Sequence, residues 1–98
     1  MVIYEVEAKV DESLREPYET YMTSKHIPEV LATERFVGAS FEICEHGRYR
    51  VCYRASDQNS LEKYLAENAE VLRADFMKHF PTGIELSRSV WTVLEHFA

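Results

Sequence analysis

His26, in the run Lys25-His26-Ile27-Pro28-Glu29, is the residue best placed by type and context to do chemistry. An imidazole titrates near neutral pH, so it can take or give a proton or ligate a metal. It follows a helical pattern and precedes a proline-stiffened turn, from which its ring can face a cleft between helices and a sheet. The same position suits a plainer task, the satisfaction of a carbonyl at a helix C-terminus. Glu29 either shares a face with it or occupies the first turn of the next helix. His46, His79 and His96 are scattered in a loop or at element ends. None has the helical-spacing partner or Cys-x-x-Cys companion of a metal site, so no metal is expected. A lone histidine specifies no haem either. Cys44 and Cys52 lack a neighbouring base that would make either a nucleophile. No glycine-rich phosphate loop or dinucleotide fingerprint occurs, so no nucleotide cofactor is expected. Arg50, Arg54 and Arg88 can receive a carboxylate ligand or pair with nearby glutamates. Trp91 can line an apolar pocket or pack in an interface. The candidate set is His26 as acid or base, with Tyr21, Arg54 and Trp91 as ligand-binding residues.

The elements that must position these residues follow from hydrophobic periodicity, which reads 2, 3.6, 2, 2, 3.6, 2 along the chain. Val2, Tyr4, Val6, Ala8 and Val10 alternate with Ile3, Glu5, Glu7 and Lys9 and predict a first strand with one apolar face. Leu14, Tyr18, Tyr21 and Met22 predict a helix from about Glu12 to Ser24, with Pro17 tolerable only in its first turn. Pro28 discourages a continuous helix through Ile27, so Pro28–Ala32 is expected as a separate short turn. Strands are expected at Phe36–Cys44 and Arg48–Ala55. A three-residue loop at 45–47 keeps their apolar sets on one face, with Cys44 facing Arg48 and Cys52 facing Ser40. Cys44 and Cys52 are then about 13 Å apart along the sheet, too far for a disulfide. Asn59 and Glu62 have capping-box spacing. Leu61, Tyr64, Leu65, Leu72 and Phe76 continue as one helix to about His79, stopped by Pro81 and Gly83. The last strand runs from Ile84 to about Phe97, with Arg88 and Thr92 interrupting the apolar set Ile84, Leu86, Val90 and Leu94.

This β-α-β-β-α-β order over residues 1–98 predicts a single α+β, ferredoxin-like domain. Its antiparallel sheet has order 4-1-3-2. Right-handed crossovers place both helices on one face. The other face carries Ile3, Glu5, Glu7, Arg48, Arg50, Cys52, Arg54, Trp91 and Val93. Glu5 and Glu7 are expected to pair with Arg50 and Arg54 across the ladder. So mixed a face suits a homodimer in which two open sheet faces pack as a dimeric α/β barrel.

Composition narrows the function classes. The formal charge is −6, and the first and third strands offer acids rather than stacking aromatics on the open face, so no nucleic-acid partner is expected. No apolar run approaches a membrane span, the N-terminus has no signal-peptide pattern, and the charge gives no pull toward anionic membranes. A cytoplasmic location is expected, and two reduced thiols fit it.

Met1–Asp11, Lys25–Thr33 with Phe36, Tyr49–Ala55 and Leu61–Phe76 resemble an uncharacterised family, domain of unknown function DUF4286. The most specific piece is His26-Ile27-Pro28-Glu29-Val30-Leu31-Ala32-Thr33, followed by Tyr64-Leu65-x-x-x-Ala69-x-x-Leu72-Arg73. Here Glu34 and Arg35 stand where many relatives have a glycine after the threonine. The resemblance implies the dimeric α/β-barrel group of ferredoxin-like folds and assigns no reaction or catalytic residue. The expected role is a small-molecule-binding or interaction module without assigned catalysis. The alternative is a cofactor-independent oxygenase or isomerase acting on a small, partly aromatic substrate, with His26 as acid or base.

Overall fold

The computed structural model describes all 98 residues. Strand β1 (Val2–Val10) is followed by a 3-10 turn at Glu12–Leu14 and helix α1 (Arg15–Tyr21). A π-helical turn (Met22–His26) leads into α2 (Ile27–Ala32). Strands β2 (Gly38–Glu45) and β3 (Arg48–Ala55), helices α3 (Gln58–Glu67) and α4 (Ala69–His79), and β4 (Ile84–Thr92) complete the chain. The sheet is antiparallel throughout, in the order β2-β3-β1-β4. This is the expected 4-1-3-2 arrangement read from the other edge.

Period-2 patterning carries the sheet. Val2, Tyr4, Ala8 and Val10 of β1 and Tyr49, Val51, Tyr53 and Ala55 of β3 are buried toward the helices. Tyr18, Tyr21, Met22, Val30, Leu61, Tyr64, Ala69 and Phe76 close the core from the helical side. Burying an aromatic or branched side chain of this size contributes about 1.5–3 kcal/mol. Aromatic packing dominates, with Tyr18 within 5.0 Å of Tyr49 and Phe36 within 4.9 Å of Tyr64, centroid to centroid.

Pro28 does not separate two helices as its sequence context suggests. Backbone angles stay right-handed helical through His26 and Ile27 (φ −64°, ψ −54° and φ −62°, ψ −45°). The Ile27 N–H reaches back five residues to the Met22 carbonyl. Widening the helix by one residue just before the proline accommodates a ring that would otherwise strike the preceding turn. Pro17 lies in the first turn of α1, as expected.

The second helical stretch departs in the opposite sense. Asn68, at φ −122° and ψ −37°, breaks it into α3 and α4. Arg35 fastens this corner, donating Nε to Asn68 Oδ1 (3.2 Å) and pairing with Glu67. The α3 cap is Asp57, whose carboxylate accepts the Ser60 N–H at 2.8 Å, rather than an Asn59–Glu62 box. Both residues have capping chemistry, and Asp57 stands at the extended residue just before the helix.

In the β2–β3 hairpin, Ile43 faces Tyr49 and Ser40 faces Cys52, as the shared apolar face requires. Cys44 does not face Arg48. Glu45 does, and the ladder shifts between Ile43 and Glu45. Gly47 takes up the turn at φ +77°, with the Val10 carbonyl where a Cβ would project. Both cysteines are free. The final strand ends at Thr92, earlier than its alternation suggests. Val93 still donates to the Met1 carbonyl (3.0 Å). Leu94 and Phe97 are left exposed.

Candidate functional site

The widened turn sets the direction of His26. Its ring packs against Tyr21 (5.7 Å, nearly parallel) and the edge of Phe76 (5.8 Å). These contacts point it toward the sheet. There it lines a cavity of about 60 Å³ walled by Tyr4 and Val6 of β1, Tyr18 and Met22 of the first helical run, and Tyr53 of β3. Tyr64 of α3, Arg73, Phe76 and Met77 of α4, and Leu86 and Arg88 of β4 complete the wall. The space exists because β4 is the strand least covered by helices: on its helix-facing side even Val90 is 49% exposed.

His26 Nδ1 is buried and has no hydrogen-bond partner. A buried nitrogen left unpaired is uncommon in native proteins and costly to desolvate. Burial holds the imidazole below its ordinary value of 6.5, against the pull of Glu29 and Asp75 and with a further push from Lys25 and Arg88. The ring is therefore neutral at pH 7. Tyr18, Tyr53 and Tyr64 line a cavity whose other walls are dominated by apolar side chains. Burial raises all three phenols, Tyr64 to about 12, and they remain protonated.

Two cations sit at the mouth. Arg73 donates to Tyr4 Oη at 2.8 Å. Arg88 sits opposite Val6 in the β1–β4 ladder, on the helix-facing side where alternation calls for an apolar residue. Both are exposed, and neither forms a salt bridge. Both line the same cavity, and the charge of each acts on the Tyr64 phenol.

Behind His26, Tyr21 Oη and Lys25 Nζ both donate to Asp75 Oδ2, each at 2.6 Å. These bonds hold the Asp75 carboxyl down at about 2. The His79 ring packs against Tyr21 at 4.4 Å, tilted by 37°, and its Nδ1 lies 2.9 Å from the Asp75 carbonyl oxygen. Tyr21 thus contacts two imidazoles, with its hydroxyl already bonded to Asp75. It is the packing surface of His26 and does not line the cavity.

Arg54 and Trp91 lie on the other side of the sheet and do not meet His26. Arg54 lies over Gly38. It makes no pair with Glu5 or Glu7; Arg50 bonds Glu42 and Glu5, and Arg48 bonds Glu7 at 3.3 Å. Arg48 is opposite Lys9 in the ladder and reaches diagonally, whereas Arg54 is opposite Ile3. Trp91 is 58% exposed and donates Nε1 to Glu5 Oε2 at 3.4 Å. Arg73 and Asp75 were absent from the sequence-based candidates. The sign of Arg88 was visible there as a charge breaking an apolar set. No group of three or more His, Cys, Asp or Glu side chains is assembled to hold a metal ion. No helix is long and apolar enough to cross a membrane.

The family model described as domain of unknown function (DUF4286) matches residues 1–94. No curated protein matches the sequence. Among solved structures, a mutant of SnoaB, a cofactor-independent oxygenase from Streptomyces nogalater, superposes with a TM-score of 0.73 at 10% identity, covering 97% of this chain and 95% of that one. A dimeric ferredoxin-like protein from an uncultured marine organism gives 0.74 at 13% identity, covering 98% and 96%. A protein of unknown function from Nitrosomonas europaea gives 0.66 at 11% identity, covering 99% and 94%. These likenesses show the ferredoxin-like fold.

Proposed function

The chain belongs to the family described as domain of unknown function (DUF4286), and on that footing we propose that it is a cytoplasmic, homodimeric small-molecule-binding module. One observation carries the binding: a tyrosine-lined cavity with the buried, neutral ring of His26 in its wall. The cavity, about 60 Å³, limits the ligand's size. A benzene ring occupies an engineered cavity of about 150 Å³. The ligand is therefore a compact molecule with fewer heavy atoms than an aromatic ring, or one that leaves part of itself at the mouth. This narrows the partly aromatic ligand considered from sequence.

The dimer reading rests on the uncovered sheet face. Arg50 and Arg48 already pair with Glu5, Glu42 and Glu7 within one protomer, leaving Trp91 exposed among them. The dimeric ferredoxin-like protein above supports the same reading. A second reading, acid–base catalysis by His26, is favoured by its being neutral at pH 7 and able to accept a proton.

A thermal-shift screen of small metabolites tests the binding reading. A ligand at one hundred times its Kd stabilises by about 2.7 kcal/mol, or several degrees for a domain of this size. The hit is expected to shift wild type and leave His26→Phe unmoved. A screen without hits, or equal shifts in both proteins, refutes it. Turnover of a hit, lost in His26→Phe, would establish the catalytic reading.

A further inference from the structure

We infer that the cavity takes a short-chain organic carboxylate, its apolar end inside and its carboxylate held between Arg73 and Arg88. The inference rests on the binding reading and names the ligand's class. Arg88 occupies a helix-facing strand position where Ile84, Leu86 and Val90 set the pattern, and it lacks a carboxylate partner. Arg35, Arg48 and Arg50 pair with glutamates, while Arg15 and Arg54 do not; what sets Arg73 and Arg88 apart is that both line the cavity. With a formal charge of −6, glutamates to neutralise two more arginines are plentiful. Arg73 spends one donor on Tyr4 Oη, and with no carboxylate on either guanidinium the remaining donors are free for an anion from outside.

The chemistry of the mouth selects a planar carboxylate. Guanidinium forks match its two oxygens, and two of them saturate it. The walls behind are aromatic and aliphatic, so the remainder of the ligand is apolar and short. The neutral His26 ring and the phenols of Tyr18, Tyr53 and Tyr64 are the polar-bearing side chains of that wall, suited to an oxo or hydroxyl group beside the carboxylate. Inorganic phosphate matches the cations but has nothing to place against Val6, Met22, Phe76 and Leu86.

Ligand-observed NMR titration of the whole protein separates these cases. The probes are propionate, its neutral isostere propionamide, and inorganic phosphate. Propionate is expected to bind wild type and to weaken about tenfold or more in Arg88→Met, a change of one charge-assisted contact. Arg88→Met places an apolar side chain where the strand pattern asks for one and is expected to fold. If its circular dichroism shows otherwise, Arg88→Gln carries the same comparison. Propionamide binding as tightly as propionate overturns the anion while leaving the cavity as a binding site. Phosphate binding as tightly as propionate overturns the carboxylate. Binding of none of the three overturns this inference, and a metabolite screen without hits would remove the binding reading beneath it.

Discussion

Replacement of Trp91 gives the sharpest test of the proposed assembly. In one protomer the side chain is 58% exposed. A tryptophan offers up to about 250 Å², so about 145 Å² of it remains to be covered by a partner. At about 25 cal/mol per Å² this is worth ~3.6 kcal/mol. Alanine recovers little of that area, and an interface about a two-fold axis feels each substitution twice. Trp91→Ala is therefore expected to weaken dimerisation by about 4–6 kcal/mol, a thousandfold or more in Kd. Trp91→Asp adds a carboxylate beside Glu5, the present partner of the indole N–H, and is expected to be monomeric. Because Trp91 lies outside the protomer core, circular dichroism and the cooperativity of unfolding should survive both changes. Sedimentation velocity over a dilution series reads the result. A wild type that sediments as a monomer throughout refutes the reasoning, as does a Trp91→Asp variant that retains dimer mass.

Acid titration of stability tests the burial of His26. Its folded value lies below 6.5, so the unfolded chain binds more protons between the two. Its contribution is complete above 6.5 and is lost as pH falls through that window, so urea midpoints should drop on acidification more in wild type than in His26→Phe. Asp75, held at about 2, contributes stability present above the ordinary carboxylate range and lost as pH falls toward 2. Asp75→Asn should flatten that acid limb, and an unchanged limb would show that Tyr21 and Lys25 do not hold the carboxylate in solution. Gly47→Ala puts a Cβ 2.6 Å from the Val10 carbonyl at φ +77° and should cost about 1–2 kcal/mol by denaturant melt. Gly38→Ala meets only the mobile end of Arg54 and should stay within about 0.5 kcal/mol, so equal costs would contradict the geometry.

The sheet was legible because alternation is local: Val2–Val10 and Arg48–Ala55 announce their faces residue by residue. What lay hidden depends on partners distant in sequence. Pro28 reads as a stop, since nothing nearby shows that an Ile27-to-Met22 hydrogen bond can absorb it. Asn68 reads as a helix residue until Arg35, thirty-three positions earlier, bonds its side chain. Arg88 appeared as a break in an apolar set, but its lack of a carboxylate partner is a property of the whole surface. His26 was picked by type and setting, whereas Arg54 and Trp91 were assigned to the same site without a way to see that the sheet lies between.

The five-residue turn at Met22–His26 gives length, rather than side-chain identity, control over the cavity. Each helical residue advances the chain by about 100°. Deleting one residue there would restore ordinary winding and swing the imidazole off the wall, although every other lining amino acid would be unchanged. Relatives that keep the same wall but lose that single position would have an empty, nitrogen-free hollow. Comparing lining residues column by column would not distinguish them from those that bind.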